Sequence, residues 1–244
     1  MNLSDIPAGT LIGRILRQPL KLIPGNTAMP ILQGRLRGKR WIAGAHTHGC
    51  WLGSYESEKQ KLFESVVQPG SVVLDIGANA GFYTLLASSL VCPEGRVYAF
   101  EPLPRNVRFL KEHLRLNKVT NVEVIEVAVS DQSGEVFFDD TAGSAMGQVA
   151  TTGRLKVRTV RIDEFTDRNE CQKPHCLKID VEGHELAVLQ GAASTLATCR
   201  PSIFLSTHSK SLHRDCCQLL RSHGYSLRPV LGTNVDETDE ILAI

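Results

Sequence analysis

Asp75, Gly77 and Gly81 stand at fixed short spacing in Val72-Val-Leu-Asp-Ile-Gly-Ala-Asn-Ala-Gly-Phe-Tyr-Thr84. Three apolar residues, two of them β-branched, read as a buried strand that runs into glycines and then into an apolar run of helical length. Glycine there permits positive φ and close approach of a ligand, and the free amides of a helix N-terminus favour a negative group. The spacing is not the G-x-G-x-x-G of a dinucleotide site, because Gly77 and Gly81 are separated by three residues and preceded by a carboxylate. A carboxylate at a strand end suits a ligand that carries an ammonium and a second cation, and S-adenosylmethionine carries both.

Further groups with chemistry of their own follow at the ends of later apolar runs. Glu101 closes Arg96-Val-Tyr-Ala-Phe100, 26 positions after Asp75. An α/β nucleotide site places there the carboxylate that accepts from ribose hydroxyls. Ala128, Val129 and Ser130 end the next run, where small and apolar side chains permit an adenine to stack. Asp180, Glu182 and His184 follow Cys176-Leu-Lys-Ile179, and His208 follows Ser202-Ile-Phe-Leu-Ser206-Thr207. Each of these four could take a proton from an acceptor directly or through water, with Asp180 the first choice and capping of the next helix its structural alternative. His208 could equally be a hydrogen-bonded histidine without a base role.

Those groups need a scaffold, and the patterning supplies one. An amphipathic helix over Tyr55–Val67 ends at Pro69-Gly70, a helix spans Phe82–Val91, and another runs from about Arg105 to Asn117. Strands are expected at Arg96–Phe100, Val122–Val129, Glu135–Phe138, Lys156–Ile162, His175–Asp180, Ser202–Ser206, Tyr225–Val230 and Glu240–Ile244. Helices are expected near Glu185–Gln190 and His213–His223. Strand and helix alternate almost throughout, which implies an α/β doubly wound parallel sheet with ligands beyond the carboxyl ends of its strands. The low-charge segment Thr141–Gly153 lacks periodicity and reads as a loop or hairpin over the site.

A chain of 244 residues with 42% hydrophobic content accommodates one large α/β domain. Residues 51–244 are read as that domain and residues 1–50 as a basic extension packed on it. The extension holds Arg14, Arg17, Lys21, Arg35, Arg37, Lys39 and Arg40 against Asp5 alone, although the whole chain carries a net charge of only +1. Such asymmetry marks either the solvated face of an ordinary extension or a surface for an anionic partner, such as a phosphorylated carrier, an acidic glycan or a membrane face. Seven cysteines form no paired C-x-x-C framework, so reduced thiols are expected and no metal is assigned, even where Cys171, His175 and Cys176 lie close. Charges and Pro19 interrupt Leu11–Leu22, and the uncharged run Ile76–Pro93 belongs to the glycine turn, so a soluble, cytoplasmic chain without a spanning segment is expected.

Several motifs in their order resemble those of FkbM-type methyltransferases: Trp51-Leu-Gly-Ser-Tyr55-Glu56, Asp75 to Thr84, Phe100-Glu101-Pro102, Ala128-Val-Ser-Asp131, Ile162-Asp163-Glu164 and Lys178-Ile-Asp180-Val-Glu182-Gly183-His184-Glu185. The resemblance covers about Trp51 to His208, with Lys178 to Glu185 its most specific part. It implies a Rossmann-like, seven-stranded class I methyltransferase sheet and S-adenosylmethionine as methyl donor. Donor contacts would come from Tyr55, Glu56, Asp75, Gly77, Ala78, Asn79, Gly81, Phe82, Glu101, Pro102, Ala128, Val129 and Asp180. It also implies methylation of a hydroxyl on a sugar or small natural product, with no nucleic-acid partner. One departure is visible: Ser206 stands where many members carry a carboxylate, while His208 remains. Two readings compete, a methyltransferase of a nitrogen or carboxylate acceptor and a silent binding module of the same fold. Intact Asp75, Gly77, Gly81 and Glu101 speak against the second.

Overall fold

The first ordered pairing is between two short strands of the basic segment, β1 (Ala28–Pro30) and β2 (Arg40–Ile42), which run antiparallel. The structure, a computed structural model, describes residues 18–139, 148–150, 155–167 and 173–244. After β2 come α1 (His48–Leu52), α2 (Ser57–Val66), β3 (Val72–Ile76), α3 (Phe82–Val91), β4 (Arg96–Phe100), α4 (Pro104–Leu116) and β5 (Val122–Ile125). Then follow β6 (Ala128–Val129), β7 (Gly134–Asp139), β8 (Gln148–Ala150), β9 (Leu155–Val160) and α5 (Ile162–Asp167). The chain closes with β10 (Cys176–Ile179), α6 (Glu185–Gln190), α7 (Ala193–Thr198), β11 (Ser202–Ser206), α8 (Lys210–Ser222), β12 (Leu227–Pro229) and β13 (Glu240–Ala243).

Seven strands form the central sheet in the order β12-β13-β11-β10-β3-β4-β5. The five from β11 to β5 are parallel, and the last two to be made, β12 and β13, run antiparallel to their neighbours. The central strands β3 and β10 are buried along their whole length, as strands covered by helices on both faces are, while β5 at the edge is partly exposed. Chain order runs outward from β3 through β4 and β5 and then returns to β10 on the other side, so β3 and β10 flank the topological switch, beyond whose strand ends such sheets bind ligands.

Two expectations change in detail. The run Val122–Val129 is not one strand: β5 stops at Ile125, and Ala128–Val129 pair instead with Thr159–Val160 in a separate four-stranded sheet, β6-β9-β7-β8. Its apolar alternation continues across the break because both halves are packed, so hydrophobicity carries no signal of the change of sheet. The helix expected from Tyr55 begins at Ser57, since Glu56 takes a left-handed conformation at φ 46° and its carboxylate accepts the Tyr83 hydroxyl at 2.9 Å. Within Thr141–Gly153 only β8 lies among the described residues; residues 140–147 and 151–154, like 1–17, lie outside them.

The described part of the basic segment is packed on the main core. Ile31, Leu36, Trp41 and Cys50 share one buried cluster with Phe82, Leu86 and Leu110. Trp41 stacks on His113 of α4 with ring centroids 3.9 Å apart. The His113 ring is wedged between two backbone groups: Nε2 accepts the Ile42 N–H at 2.9 Å and Nδ1 lies 2.7 Å from the Ala80 carbonyl. Only the neutral ring with its proton on Nδ1 serves both, and burial pushes its pKa down to about 4. A histidine depressed in the folded chain binds its proton only when unfolded between its ordinary value and about 4, so stability falls as pH drops through that window. Thermal unfolding between pH 7 and 4 should show this loss, and it should be smaller in His113→Asn.

The described cysteines are free thiols, four of them buried. Cys171 lies outside the described residues, and His175 Nδ1 accepts the Val72 N–H at 3.0 Å. No helix among the described residues is long and apolar enough to cross a membrane.

Candidate active site

The glycine turn joins β3 to α3 through three left-handed residues, Gly77 (φ 80°), Asn79 (φ 50°) and Gly81 (φ 92°). A Cβ on Gly77 would sit 1.9 Å from the Asp180 carbonyl oxygen, and one on Gly81 would sit 2.3 Å from Leu110 Cδ1. These glycines thus let the β3 and β10 ends approach each other and seat α3 against α4, in addition to permitting the φ values. The amides of Gly77 and Ala78 both donate to the Phe100 carbonyl at 3.0 Å.

A cleft opens beyond the carboxyl ends of β3, β4, β6 and β10. From the residues expected to form a site it is lined by Tyr55, Gly77, Ala78, Asn79, Phe82, Glu101, Pro102, Ala128, Val129, Asp180, Glu182 and His184. Asp75, Glu56, Gly81 and His208 do not line it. Asp75 is 1% exposed, accepts the Thr84 hydroxyl at 2.6 Å and lies 3.8 Å from Lys178 Nζ, so a lysine of the chain itself supplies a cation beside it. Thr84→Val, which keeps the shape and removes this bond, should cost about 1.5 kcal/mol and lower the unfolding midpoint by about 3 to 6 °C.

At one end of the cleft Glu101 Oε2 accepts the Asn79 N–H at 2.8 Å, and Oε1 accepts Leu103 N–H at 2.9 Å and Asn106 Nδ2 at 3.3 Å. Burial pushes this carboxyl up, against the pull of the two amides. Asn106 Oδ1 beside it is buried without a hydrogen-bond partner. Leu103, Val127, Ala128 and Val129 make this end apolar.

The other end is charged. Lys178 Nζ sits 3.3 Å from Asp180 Oδ2 and over the Tyr83 ring at 5.3 Å. Burial would neutralise Lys178, but Asp180 and Asp75 outweigh it and raise its pKa. Burial likewise opposes ionisation of Asp180, yet Lys178, Lys59 and His208 together hold its carboxyl below the usual range. His208 Nδ1 lies 2.8 Å from Glu185 Oε1, and its Nε2 faces Glu182 at 3.3 Å and Asp180 at 3.6 Å. The Glu185 hydrogen bond raises the His208 pKa, burial opposes it, and the surrounding carboxylates add to the rise. Atoms of Asp180, Glu182 and His208 converge within 4.8 Å, a geometry that a proton shared at Nε2 satisfies. His184 is held separately, its Nε2 2.9 Å from Ser130 Oγ, and burial lowers its pKa.

Ser206, where a carboxylate was the expected pattern, contacts one donated from elsewhere. Its hydroxyl accepts from Lys59 Nζ at 2.8 Å and lies 3.3 Å from Glu240 of the paired strand β13. Lys59, only 2% exposed, bridges Glu240 and Glu56, and so ties α2 to the sheet behind the cleft.

Sequence reasoning missed Trp41, His46, Tyr83, Asn106 and Lys178 as lining residues. Lys178 and Tyr83 lie within quoted motifs, where a charge in a buried strand was the available signal. Trp41 and His46 come from a segment without periodicity.

A sheet of this order, with a glycine turn after β3, a carboxylate after β4 and a polar cluster after β10, defines a class I S-adenosylmethionine-dependent methyltransferase. A sequence comparison matches residues 75–227 to the Methyltransferase FkbM domain, more than half of the chain. The chain belongs to the FkbM methyltransferase family. It is 29% identical over 167 residues to the hexuronic acid methyltransferase AglP of Haloferax volcanii, covering 68% of this chain and 67% of that one. It is 26% identical to the 2-O-methyltransferase NoeI of Sinorhizobium fredii, covering 54% and 62%, and 26% identical to the 31-O-demethyl-FK506 methyltransferase FkbM of Streptomyces tacrolimicus, covering 66% and 75%. The crystal structure of an FkbM methyltransferase from Methylobacillus flagellatus superposes with a TM-score of 0.52 at 17% identity, over 81% of this chain and 55% of that one. The match to NoeI and to that crystal structure thus spans less than two thirds of their length.

Proposed function

We propose that the chain is an O-methyltransferase that moves the methyl group of S-adenosylmethionine to a hydroxyl of a sugar or small natural-product acceptor. The observation that carries this reading is the polarity of one cleft, with the buried Glu101 carboxylate and an apolar wall at one end and the charged groups of Lys178, Asp180 and Glu182 at the other. The names of AglP, NoeI and FkbM, a hexuronic acid methyltransferase, a 2-O-methyltransferase and a 31-O-demethyl-FK506 methyltransferase, support the acceptor class.

The residues present fit the donor. Glu101 Oε2 has one N–H partner and so retains acceptor capacity, and the buried, unpartnered Asn106 Oδ1 is a second acceptor beside it. Both would take ribose hydroxyls. The apolar wall of Ala128 and Val129 would hold the adenine, and Lys178, Asp180 and Tyr55 would hold the charged methionyl end. S-adenosylmethionine supplies an electrophilic methyl carbon when bound, and the protein positions an acceptor oxygen in line with it.

His208 stands behind the cleft wall, so the acceptor's proton would reach its Nε2 by way of Asp180 or Glu182, which line the cleft, while Glu185 orients the ring. Because a base must be unprotonated and these carboxylates raise the His208 pKa, turnover should rise with pH through a value above 6.5, the ordinary imidazole value. Glu185→Gln removes the largest cause of that rise and should move the profile to lower pH. An unshifted profile would take Glu185 out of this role. Incubation with isotopically labelled donor and a panel of sugars, glycans and hydroxylated metabolites, followed by mass spectrometry, tests the reading as a whole. Absence of methyl transfer to every hydroxylated acceptor would count against it.

A further inference from the structure

Arg108, Lys111 and Arg115 follow one another at three- and four-residue spacing, which puts them on one side of α4. They line an open cleft whose opposite wall is backbone of the basic segment at Gly25, Asn26 and Gly44. Arg40 is pinned beside the end of this helix, because its N–H donates to Asn117 Oδ1 at 2.7 Å and Asn117 Nδ2 donates to its carbonyl at 2.9 Å. Lys39 adjoins Arg40, and exposed Lys118 adjoins Asn117. Two carboxylates oppose these six cations, Glu112 on Arg115 and Glu126 on Lys111. Arg40 and Arg108 have no carboxylate partner among the described residues.

Leu22 stands three positions before Gly25 and is 84% exposed, the highest value among the large apolar residues described. A single exposed leucine is ordinary. Three residues of chain hold it within about 10 Å of Gly25 on the cleft wall, and an exposed apolar side chain near a cationic face suits the headgroup layer of a membrane. The sequence ahead of it repeats that combination, with Leu11, Ile12, Ile15 and Leu16 interleaved with Arg14 and Arg17.

We propose that this face docks reversibly on an anionic membrane, lipid phosphates meeting Arg40 and Arg108 and Leu22 entering the headgroup boundary. A nucleic acid fits less well. Among the described residues Phe109 is the one aromatic residue that lines this cleft, and the guanidinium groups of Arg105 and Arg108 already lie 5.3 Å from its ring centroid, so a row of stacking platforms for bases is lacking there. Attachment by surface charge and one leucine is peripheral and weakens as salt rises.

Sedimentation of the full chain with vesicles tests this directly. The chain should pellet with phosphatidylglycerol–phosphatidylcholine vesicles, stay in solution with phosphatidylcholine alone, and be released as salt rises from about 0.1 to about 1 M. Each cation near an anionic surface contributes about fivefold to partitioning, so Arg40→Gln combined with Arg108→Gln should lower it at least about tenfold. Leu22→Ser should lower it as well. Both variants should keep the circular dichroism and donor affinity of the unaltered chain, since neither position touches the active-site cleft. Failure to pellet with anionic vesicles overturns the proposal, as does equal partitioning of the arginine double variant. Displacement by soluble heparin, with Leu22→Ser binding vesicles as before, would instead mark a site for a soluble polyanion and overturn it too.

Discussion

Replacing His208 with Gln lowers the turnover of methyl transfer by about 10² to 10⁴-fold, the range that a positioned proton acceptor supplies, while S-adenosylmethionine binds as before. The expectation rests on placement: His208 Nδ1 is fixed 2.8 Å from a Glu185 oxygen and its Nε2 is left facing Glu182 and Asp180. Glutamine preserves a donor near the carboxylates and so limits the repulsion that three acidic groups would feel without a partner. Single-turnover kinetics would check the prediction alongside thermal unfolding. A variant with full turnover removes His208 from the mechanism, and one with a lost fold and lost donor binding assigns it to structure. Asp180→Asn should also lower turnover, and should disturb Lys178 as well, because the two groups lie 3.3 Å apart.

Glu101→Ala should weaken S-adenosylmethionine binding by about 1.5 to 3 kcal/mol, or roughly 10- to 150-fold in Kd. Part of that loss would be indirect. The Glu101 carboxylate accepts the Asn79 and Leu103 amides, so it holds the glycine turn and the start of α4 as well as facing the cleft. Glu101→Gln separates the contributions: it can still accept from one amide, while its lost charge weakens any hydrogen bond from ribose. Calorimetry that finds unchanged affinity in both variants would remove Glu101 from the donor site.

The parts of this site that the sequence makes legible are those written into local backbone. Gly77 and Gly81 must take φ values of 80° and 92°, so their spacing is visible before any contact is known. Glu101 and Asp180 follow a buried strand directly and His208 follows one after Thr207, and parallel strands bring their ends to one edge. What stayed hidden depends on partners distant in sequence. Trp41 and His46 reach the cleft because β2 docks on α4 through His113, and a pairing 71 residues apart leaves no periodic trace. The break at Glu126–Val127 was hidden for the opposite reason, since both flanking pieces are apolar and packed. The role of Ser206 needed its neighbour in the sheet, because Glu240 comes to it across the β11–β13 register.

Glu240 also shows how the family's pattern can be met from a different place in the chain. Lys59 is buried and contacts Ser206, Glu240 and Glu56, so charge behind the cleft is balanced even though Ser206 brings none. That balance leaves Lys178 to Asp75, buried beneath the cleft, and to Asp180 on its wall.

The proposed reaction passes a methyl group from S-adenosylmethionine to an acceptor oxygen in this cleft. Carbon NMR of the product formed from donor labelled with ¹³C in its methyl group tests it most directly, because a methyl ether, a methyl ester and an N-methyl group resonate at different positions. The expected product is a methyl ether that forms with the unaltered chain and is strongly reduced with His208→Gln. A methyl ester or an N-methyl product, or equal formation of the ether by the variant, would contradict it.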